Sequence, residues 1–327
     1  MSTDAKRNPV FTGPFEDLLA GFVREKRASG YKYDTAIVYL LNLDTFLKNE
    51  TVCPDELTKD VVERWTQKMS NEQEKTHYSR VSILRQFALY LSRQGIPAYM
   101  PPREKMFCKS GFVPRIFTHE EIRRMFEILD NWRCFSDLPY RHLVLPELFR
   151  MLYGCGLRIG EALNLEVRDV DLTEGILTIR NAKFGKERLV PMAPTLAQRL
   201  KTYASKFGVR EQDAPFFPGS DGRHLSHAVV YNCFRDILWQ LGIPHIGRNR
   251  GPRIHDLRHT FAVHRLLRWY QEGADMGVML PRLSTYLGHV GMEGTQRYLH
   301  MVAELMPEVT KTLEAAVGHM IPGGDEI

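Results

Sequence analysis

The chain has 327 residues, of which 43% are hydrophobic and 25% charged, and it carries a formal net charge of +5. This length provides for one large or two ordinary domains, and the composition is ordinary for a globular protein. The five cysteines are widely spaced and form no Cys-x-x-Cys pair, which argues against a disulfide framework and a cysteine zinc site.

The signals of export and membrane insertion are also missing from the sequence. The first seven residues contain no apolar run, and no stretch approaches the roughly 18 apolar residues that a membrane-spanning helix needs. We therefore expect a protein of a reducing compartment with no membrane partner. The mild positive charge permits nucleic-acid binding without indicating it, so the evidence must come from local motifs.

The first third of the chain predicts a compact helical domain over residues 13–96. Residues 1–12 are interpreted as a flexible arm, and Pro14 suits the first position of a helix. Four amphipathic helices are predicted, at about residues 14–30, 33–48, 58–69 and 76–93. In the last of these, the residues with the spacing of a buried stripe are Val81, Leu84, Ala88 and Leu91. Four such helices make a domain of the helical-bundle class.

Cations occur on the polar faces of these helices and in the segment that follows. Residues 97–115 are rich in Pro and Gly without hydrophobic periodicity, which is typical of a linker between domains. Taken singly, each cation is best interpreted as a solvated charge, and a phosphate contact gains weight only if the rest of the protein handles DNA. Under that condition the candidate DNA contacts are Lys32, Arg80, Arg85, Lys109, Arg115, Lys186 and Arg253.

The second domain, residues 116–302, is predicted to combine helices with a small sheet. It opens with Thr118-His-Glu-Glu121, the pattern of a helix capping box. Short strands are predicted near residues 169–172, 175–180 and 187–191. The predicted fold class is therefore mainly α with a small antiparallel β-sheet, arranged as a four-helix domain and an α+β domain. Residues 303–327 carry an apolar stripe that packs on this domain or docks on a neighbouring copy.

Two basic residues in the second domain admit two interpretations each. Arg158 precedes an apolar helix and needs an anionic partner, either Glu161 one turn away or a ligand phosphate. The local sequence favours the structural salt bridge. Lys183 lies at a predicted hairpin tip, where a lysine is usually exposed to solvent, and the alternative is a general acid that enters an active site.

The densest group of reactive side chains lies between residues 253 and 300. His255 and Arg258 share a helix face, His289 follows a short helix that is predicted to begin at Pro281, and Tyr298 comes nine residues later. A phenol, with a pKa of about 10, is a poor nucleophile unless fixed cations stabilise the developing charge. A phosphodiester is the electrophile that suits such a cluster.

A zinc site in the same stretch is disfavoured. His255 and His259 have the i, i+4 spacing of two metal ligands, but no Glu occupies the general-base position and no cysteine is nearby. We expect neither a metal nor any other cofactor.

Five motifs in this order resemble the tyrosine recombinase, or phage integrase, family. They are Leu157-Arg-Ile-Gly-Glu161, Lys183 on a hairpin ending Arg188-Leu-Val-Pro191, His255-Asp-Leu-Arg-His259, Leu287-Gly-His289 and Tyr298-x-His300. The resemblance covers nearly the whole chain and is strongest from Leu152 to His300. It implies a SAM-like helical core-binding domain joined to an α+β catalytic domain, clamped around DNA.

The resemblance also implies a role for each motif residue. Tyr298 would attack a scissile phosphate and form a 3′-phosphotyrosyl link. Arg158 and Arg258 would hold the non-bridging oxygens, and His289 would add a hydrogen bond to them. His255 would assist proton transfer at the nucleophile. Because two guanidinium forks suit a phosphate, the chemistry of these residues agrees with the implied roles.

Strand exchange completes the implied reaction. Lys183, rather than Lys186, would protonate the departing 5′-oxygen, and a 5′-hydroxyl of another strand would reverse the attack through a Holliday junction. The covalent link keeps the energy of the broken bond, so neither ATP nor metal is expected. The implied partners are double-stranded recombination sites, a homotetramer with one dimer per site, and an accessory DNA-bending protein or partner recombinase.

The expected setting is the bacterial cytoplasm, in association with the nucleoid. The helical domain begins almost at once, so we expect a simple Xer-like enzyme or one carried by a mobile element. Two alternatives stay open at this point. One is a type IB topoisomerase that relaxes supercoils with the same chemistry, and the other is a DNA-binding regulator without catalysis.

Overall fold

The computed structural model describes residues 9–31, 33–50, 52–103, 113–132, 140–180, 187–244, 251–289, 291, 294–296, 298–299 and 301. The chain folds into two compact units, residues 1–111 and 112–327. Hydrophobic clusters lie within each of them.

The first unit is helical throughout its described elements. These are α1 (Glu16–Ala28), α2 (Asp34–Asn49), α3 (Lys59–Thr66) and α4 (Glu74–Arg93). The core forms around Phe22, Leu40 and Phe87, none of which is exposed. The stripe predicted on α4 is confirmed, since all four of its apolar residues are buried.

The segment before α1 belongs to the folded unit, contrary to the prediction of a flexible arm up to residue 12. The Asp44 carboxylate accepts hydrogen bonds from the backbone N–H groups of Thr12 (2.8 Å) and Gly13 (2.9 Å), and Phe11 is buried. A Cβ at Gly13 would come within 2.6 Å of Asp44 Oδ1, so only glycine permits this approach. Residues 1–8 lie outside the described part of the chain.

The second unit surrounds a small sheet with helices. Its helices are α5 (His119–Asp130), α6 (Arg141–Gly154), α7 (Ile159–Leu163), α8 (Pro194–Ser205), α9 (His227–Gln240), α10 (Asp256–Gln271) and α11 (Met276–Leu287). The capping box predicted for α5 is confirmed: Thr118 Oγ1 accepts from the Glu121 N–H, and Glu121 Oε2 accepts from the Thr118 N–H. The predicted fold class, mainly α with a small antiparallel sheet, is confirmed as well.

Three short strands form the sheet in the order β1 (Val170–Asp171), β2 (Ile176–Ile179) and β3 (Arg188–Pro191), each antiparallel to its neighbour. Leu177 pairs with Val190, and both are fully buried against the core. Ile179 pairs with Arg188 on the same face, which directs the Arg188 side chain inward. The connection between β2 and β3, residues 181–186, lies outside the described residues.

Helix α11 departs from the prediction that Pro281 begins it. The helix begins at Met276, after Asp275, whose Oδ1 accepts the Gly277 N–H (2.8 Å). Pro281 lies inside the helix, where its ring removes a single backbone donor. The helix ends at Gly288, whose φ of 67° is left-handed. Across the described ranges, no helix is long and apolar enough to cross a membrane.

Candidate active site

Arg258 is the buried centre of the candidate site. It lies in the first turn of α10 with 1% of its surface exposed. Its Nη1 donates to the Gly156 carbonyl (2.7 Å) and its Nη2 to the Leu287 carbonyl (2.6 Å). Burial, and then the nearby charge of Arg158, lower the pKa of Arg258 to about 10, and the group remains a cation at neutral pH. A buried cation fixed in this way attracts anionic groups.

Close backbone approach makes these carbonyls available to Arg258. Gly156 has a φ of 59°, and a Cβ there would come within 2.5 Å of the Phe261 ring on α10. Leu287 is the last residue of α11. Three segments, the loop before α7, the start of α10 and the end of α11, therefore converge on one guanidinium.

Arg158 precedes α7 and forms the salt bridge that its local sequence favours. Its Nη1 donates to Glu161 Oε1 (2.7 Å), and its backbone N–H donates to Glu161 Oε2 (2.9 Å). Its Nη2 donates weakly to the Gly288 carbonyl (3.3 Å). One third of the side chain, 33%, is still exposed. The favoured salt bridge is thus present, and an open edge of the guanidinium remains for a ligand.

Arg188 is a member of this cluster that sequence reasoning did not select. It donates from Nη1 and Nη2 to the two oxygens of Glu161 (3.0 and 2.8 Å) and from Nε to the Tyr286 carbonyl (3.0 Å). Burial alone would raise the pKa of Glu161, but the hydrogen bonds from Arg188 and Arg158 hold it at about 2. The register of β3 against β2, which places Arg188 on the buried face, is the signal that would have found it.

Two histidines border the guanidinium cluster, and both are neutral at physiological pH. Desolvation lowers the pKa of His255 and of His289 to about 4, and the charges of Arg258 and Arg158 act in the same direction. His255 also keeps an exposed edge at the border of the cluster. His289 Nδ1 shares a hydrogen bond of 2.8 Å with the hydroxyl of the buried Thr295.

Tyr298 closes the site. Its side chain is 2% exposed, and its ring centroid lies 5.5 Å from that of His259 and 6.0 Å from that of His289. Its phenol is near enough to Arg258 for a phenolate charge to stabilise that guanidinium. The structure therefore brings together five of the six predicted catalytic residues, and the sixth, Lys183, lies outside the described residues.

Asp256 is a buried acid beside this cluster. It is fully buried, and its Oδ2 accepts the Arg253 backbone N–H (2.9 Å), which fixes the turn into α10. Burial raises the pKa of Asp256 to about 6. Asp256 thus adds a titratable group at the base of the helix that carries Arg258.

The structure gives Arg80 a structural role in place of the predicted DNA contact. The Arg80 side chain is 4% exposed, and its Nε and Nη2 donate to the two oxygens of Glu72 (2.9 and 2.7 Å). It also donates to the backbone carbonyls of Trp65 and Gln67 and stacks over the Trp65 ring. A guanidinium engaged on all sides inside the helical unit is not presented to a phosphate.

The other candidate DNA contacts divide into two groups. Arg85 is half-buried, Arg253 is exposed, and Arg115 pairs with Glu121 (2.6 Å) while its side chain stays partly exposed. The candidates outside the described residues are Lys32, Lys109 and Lys186. Contact of any of these with DNA stays a prediction.

The donor set at the site suits an anion. Over the ranges that the structure describes, no group of three His, Cys, Asp or Glu side chains is placed to hold a metal ion. Glu161, the carboxylate of the cluster, is engaged by two guanidiniums. The arrangement can hold and polarise a phosphate beside a tyrosine.

Comparison with known proteins identifies the family in which this arrangement of residues is found. Residues 115–304 match the model of the phage integrase family. The Sinorhizobium fredii protein y4rB, whose name places it among integrases and recombinases, is 32% identical over 92% of this chain and 97% of its own. The tyrosine recombinase XerC of Oceanobacillus iheyensis is 30% identical over 70% of this chain and 71% of its own.

A solved structure shows the same fold. The XerH site-specific recombinase, bound to difH substrate in a pre-cleavage complex, superposes with a TM-score of 0.60 at 18% identity. The alignment covers 91% of this chain and 98% of that one. Because the family model spans most of the second unit and a relative matches along nearly the whole chain, this protein belongs to the phage integrase family of tyrosine recombinases.

Proposed function

We propose that the chain is a site-specific DNA recombinase that cleaves and rejoins strands through a 3′-phosphotyrosyl intermediate on Tyr298. The observation that carries this proposal is the enclosure of the Tyr298 phenol beside the Arg258 guanidinium and the His289 ring. In water a phenol attacks a phosphodiester poorly, because the attack adds charge to an anion. Fixed donors aimed at the phosphate remove much of that barrier.

The attack forms a bond from Tyr298 Oη to phosphorus and breaks the bond from phosphorus to the 5′-oxygen. Charge develops on the non-bridging oxygens, where the guanidiniums of Arg158 and Arg258 donate hydrogen bonds. His289 is neutral, and the Thr295 hydroxyl can donate to its Nδ1. With the Thr295 hydroxyl as the donor in that bond, the hydrogen of the neutral ring lies on Nε2, which is then the donor to the phosphate in this proposal.

Proton transfers complete the step. His255 is unprotonated at neutral pH, so it can accept the phenolic proton as Tyr298 attacks. Lys183, on the β2–β3 connection, supplies a proton to the departing 5′-oxygen in this proposal. Attack by a 5′-hydroxyl of another strand runs the same transfers in reverse and completes the exchange through a Holliday junction. One covalent bond replaces another at each stage, so the scheme needs no ATP.

The proposed partners are recombination-site duplexes and further copies of this chain. We assign DNA contacts to the helical domain at residues 13–96, the linker at 97–115 and the catalytic domain at 116–302, with a dimer on each site and a tetramer on paired sites. Residues 303–327 would dock on a neighbouring copy, and an accessory DNA-bending protein or partner recombinase would complete the assembly. A cytoplasmic, nucleoid-associated location follows from this substrate.

Recombination is favoured over the two alternatives. The two relatives described above carry integrase or recombinase names. The tyrosine, both arginines and both histidines of the proposed centre are present and adjacent, which a regulator without catalysis has no need to retain. That juxtaposition supports catalysis.

The test is covalent capture of DNA. Wild-type protein and Tyr298→Phe are incubated in EDTA with a nicked suicide duplex made from the DNA that flanks the gene. We expect an SDS-resistant adduct with the wild type and none with the variant, while both bind the duplex with similar affinity. An adduct formed by Tyr298→Phe would mean that another residue is the nucleophile. An adduct that needs added metal would overturn the proposed scheme.

A further inference from the structure

Arg188 is buried in the catalytic unit, and all three of its guanidinium nitrogens donate within the protein. Its side chain is 10% exposed. Nε donates a hydrogen bond to the Tyr286 carbonyl on α11, and the two terminal nitrogens form a bidentate pair with Glu161 on α7. Because all three nitrogens already donate within the protein, we assign its influence on the reaction to the neighbours that it binds.

Glu161 is the neighbour that connects Arg188 with the proposed phosphate clamp. Glu161 Oε1 accepts from both Arg158 Nη1 (2.7 Å) and Arg188 Nη1 (3.0 Å). The Arg158 backbone N–H also donates to Glu161 Oε2 (2.9 Å), and a carboxylate paired with Arg158 alone would cancel the charge of that guanidinium. Arg188 binds both oxygens of Glu161, so it helps to hold the carboxylate in its plane, and the three groups together keep one net positive charge.

The end of α11 is tied to the same cluster. Arg158 Nη2 donates to the Gly288 carbonyl (3.3 Å), and a Cβ at Gly288 would lie 2.9 Å from Arg188 Nη1. Arg188 therefore occupies the space beside Gly288, and His289 is the next residue. The Arg188 side chain, which belongs to β3, thus packs between helix α7 and the segment that carries His289.

We propose that Arg188 is a positioning residue: it orients Arg158 through Glu161 and preserves the positive charge that Arg158 presents to the scissile phosphate. This inference rests on the proposed function, because it assumes that Arg158 contacts that phosphate. A preorganised donor is worth more in the transition state than a mobile one. Loss of Arg188 should therefore slow strand cleavage and leave DNA binding nearly unchanged.

The test compares two scissile groups in single-turnover cleavage, once the wild-type cleavage position has been mapped. One duplex carries the natural phosphodiester. The other carries a methylphosphonate, in which a methyl group replaces a non-bridging oxygen and the negative charge is absent. Arg188→Met should cleave the phosphodiester roughly tenfold or more slowly than the wild type, by analogy with losing a preorganised donor. On the methylphosphonate the deficit should shrink below about threefold, because less charge needs a fixed cation there.

Arg150→Met is the matched control. Arg150 is equally buried (11% exposed side chain) and pairs with Asp130 (2.5 Å) in the same unit, and its hydrogen-bond, ion-pair and ring partners among the described residues include none of the proposed catalytic ones. It should show the same ratio of rates on the two duplexes as the wild type. Arg188→Lys keeps the charge with one donor nitrogen, so it should fall between Arg188→Met and the wild type, and it replaces Arg188→Met if that variant fails to fold.

The outcomes distinguish failure of the positioning role of Arg188 from failure of the proposed recombinase function. An equal deficit of the Arg188 variants on both duplexes, or no deficit on either, would overturn the positioning role while leaving Tyr298 catalysis intact. A shift in the rate ratio for Arg150→Met would overturn it too, because general loss of a buried ion pair would then suffice. Failure of the wild type to form a Tyr298-dependent adduct would reject the proposed function, and this inference with it.

Discussion

Three guanidiniums, one carboxylate and two imidazoles share the centre of the catalytic unit, where burial and the excess of positive charge both disfavour protonation of the imidazoles. His255 and His289 each have a pKa of about 4, below the usual histidine value. Both are therefore neutral from about pH 5 upward. A neutral His255 can accept a proton, and a neutral His289 can donate from one nitrogen while the other faces Thr295. The roles proposed for these residues agree with their protonation.

Asp256 provides a prediction of stability against pH. Its pKa is raised from 3.8 to about 6 by burial, so the folded state holds this proton more tightly than the unfolded state. The contribution of Asp256 to stability is then most favourable below pH 4, falls between pH 4 and 6, and is constant above. Asp256→Asn has no such titration. Between pH 5.0 and 7.5 the unfolding free energy of the variant should gain on the order of 1 kcal/mol relative to the wild type.

Denaturant unfolding of both proteins across this range measures that difference. Any part of the difference that does not vary with pH reflects the changed hydrogen bonding of the amide. A difference with no pH-dependent part from pH 5.0 to 7.5 would contradict the prediction, because Asp256 would then titrate near its ordinary pKa in the folded protein.

Most residues that the structure brings together at the site were selected from the sequence. Arg188 was not, and the reason is physical. Arg158, Arg258, His289 and Tyr298 lie at motif positions, so their proximity could be expected from the resemblance. Arg188 depends on strand register and on a partner 27 residues away, neither of which a local pattern reports.

At the scale of elements, the site depends on how helices end. Helix α11 stops at Gly288 in the left-handed region, and this turn both exposes the Leu287 carbonyl to Arg258 and directs the chain to His289. A residue with a Cβ is strained at such a φ, and here it would also meet the Arg188 guanidinium. The glycine is thus required twice, by backbone conformation and by packing.

Gly288→Ala and Gly273→Ala separate these two requirements. Gly273 also has a left-handed φ (69°), but nothing lies within 4 Å of the Cβ that an alanine would add. Gly273→Ala should cost about 1 kcal/mol of unfolding free energy for the backbone conformation alone. Gly288→Ala should cost roughly 1 to 3 kcal/mol more, as an overpacked site does, and should also slow covalent capture of DNA. Equal losses in the two variants would show that the Arg188 contact is easily relieved.

Element boundaries followed sequence rules where those rules are local. The capping box at Thr118 and the stripe on α4 needed only neighbouring residues, and both are confirmed. The prediction for Pro281 was wrong because proline favours the first position of a helix, whereas Pro281 lies inside α11 and Asp275 supplies the cap. The arm before α1 was misassigned because its anchor, Asp44, lies more than thirty residues away.

At the scale of the whole molecule, the chain carries a complete hydrophobic cluster within its first unit. Arg80 is part of that core: it falls on the same helical stripe as Leu84 and Phe87, a spacing that predicts burial and argues against a phosphate contact. The buried pair with Glu72 therefore supports the fold of this unit rather than its surface chemistry.

A fragment of residues 9–103 should fold alone with cooperative unfolding, and Arg80→Met should destabilise it by roughly 3 to 5 kcal/mol, because Glu72 is left buried without its partner. Circular dichroism during urea unfolding measures both. The control is Arg64→Met, which removes ion pairs of an exposed arginine and should cost at most about 1 kcal/mol. An Arg80→Met fragment as stable as the Arg64→Met fragment would contradict the structural role of Arg80.

The two proposed phosphate ligands differ in how they withstand sequence change. Arg258 is held by main-chain carbonyls of Gly156 and Leu287, and every residue type supplies a carbonyl. Arg158 is held through the side chain of Glu161, which a single codon change can remove. In a randomised library, position 156 would be limited by its left-handed backbone and by the Phe261 ring, and position 287 by its burial in the core, so the limits there concern shape. Position 161 would be limited by chemistry, because the contact is made by its carboxylate. The two halves of the clamp are therefore sensitive to different kinds of substitution.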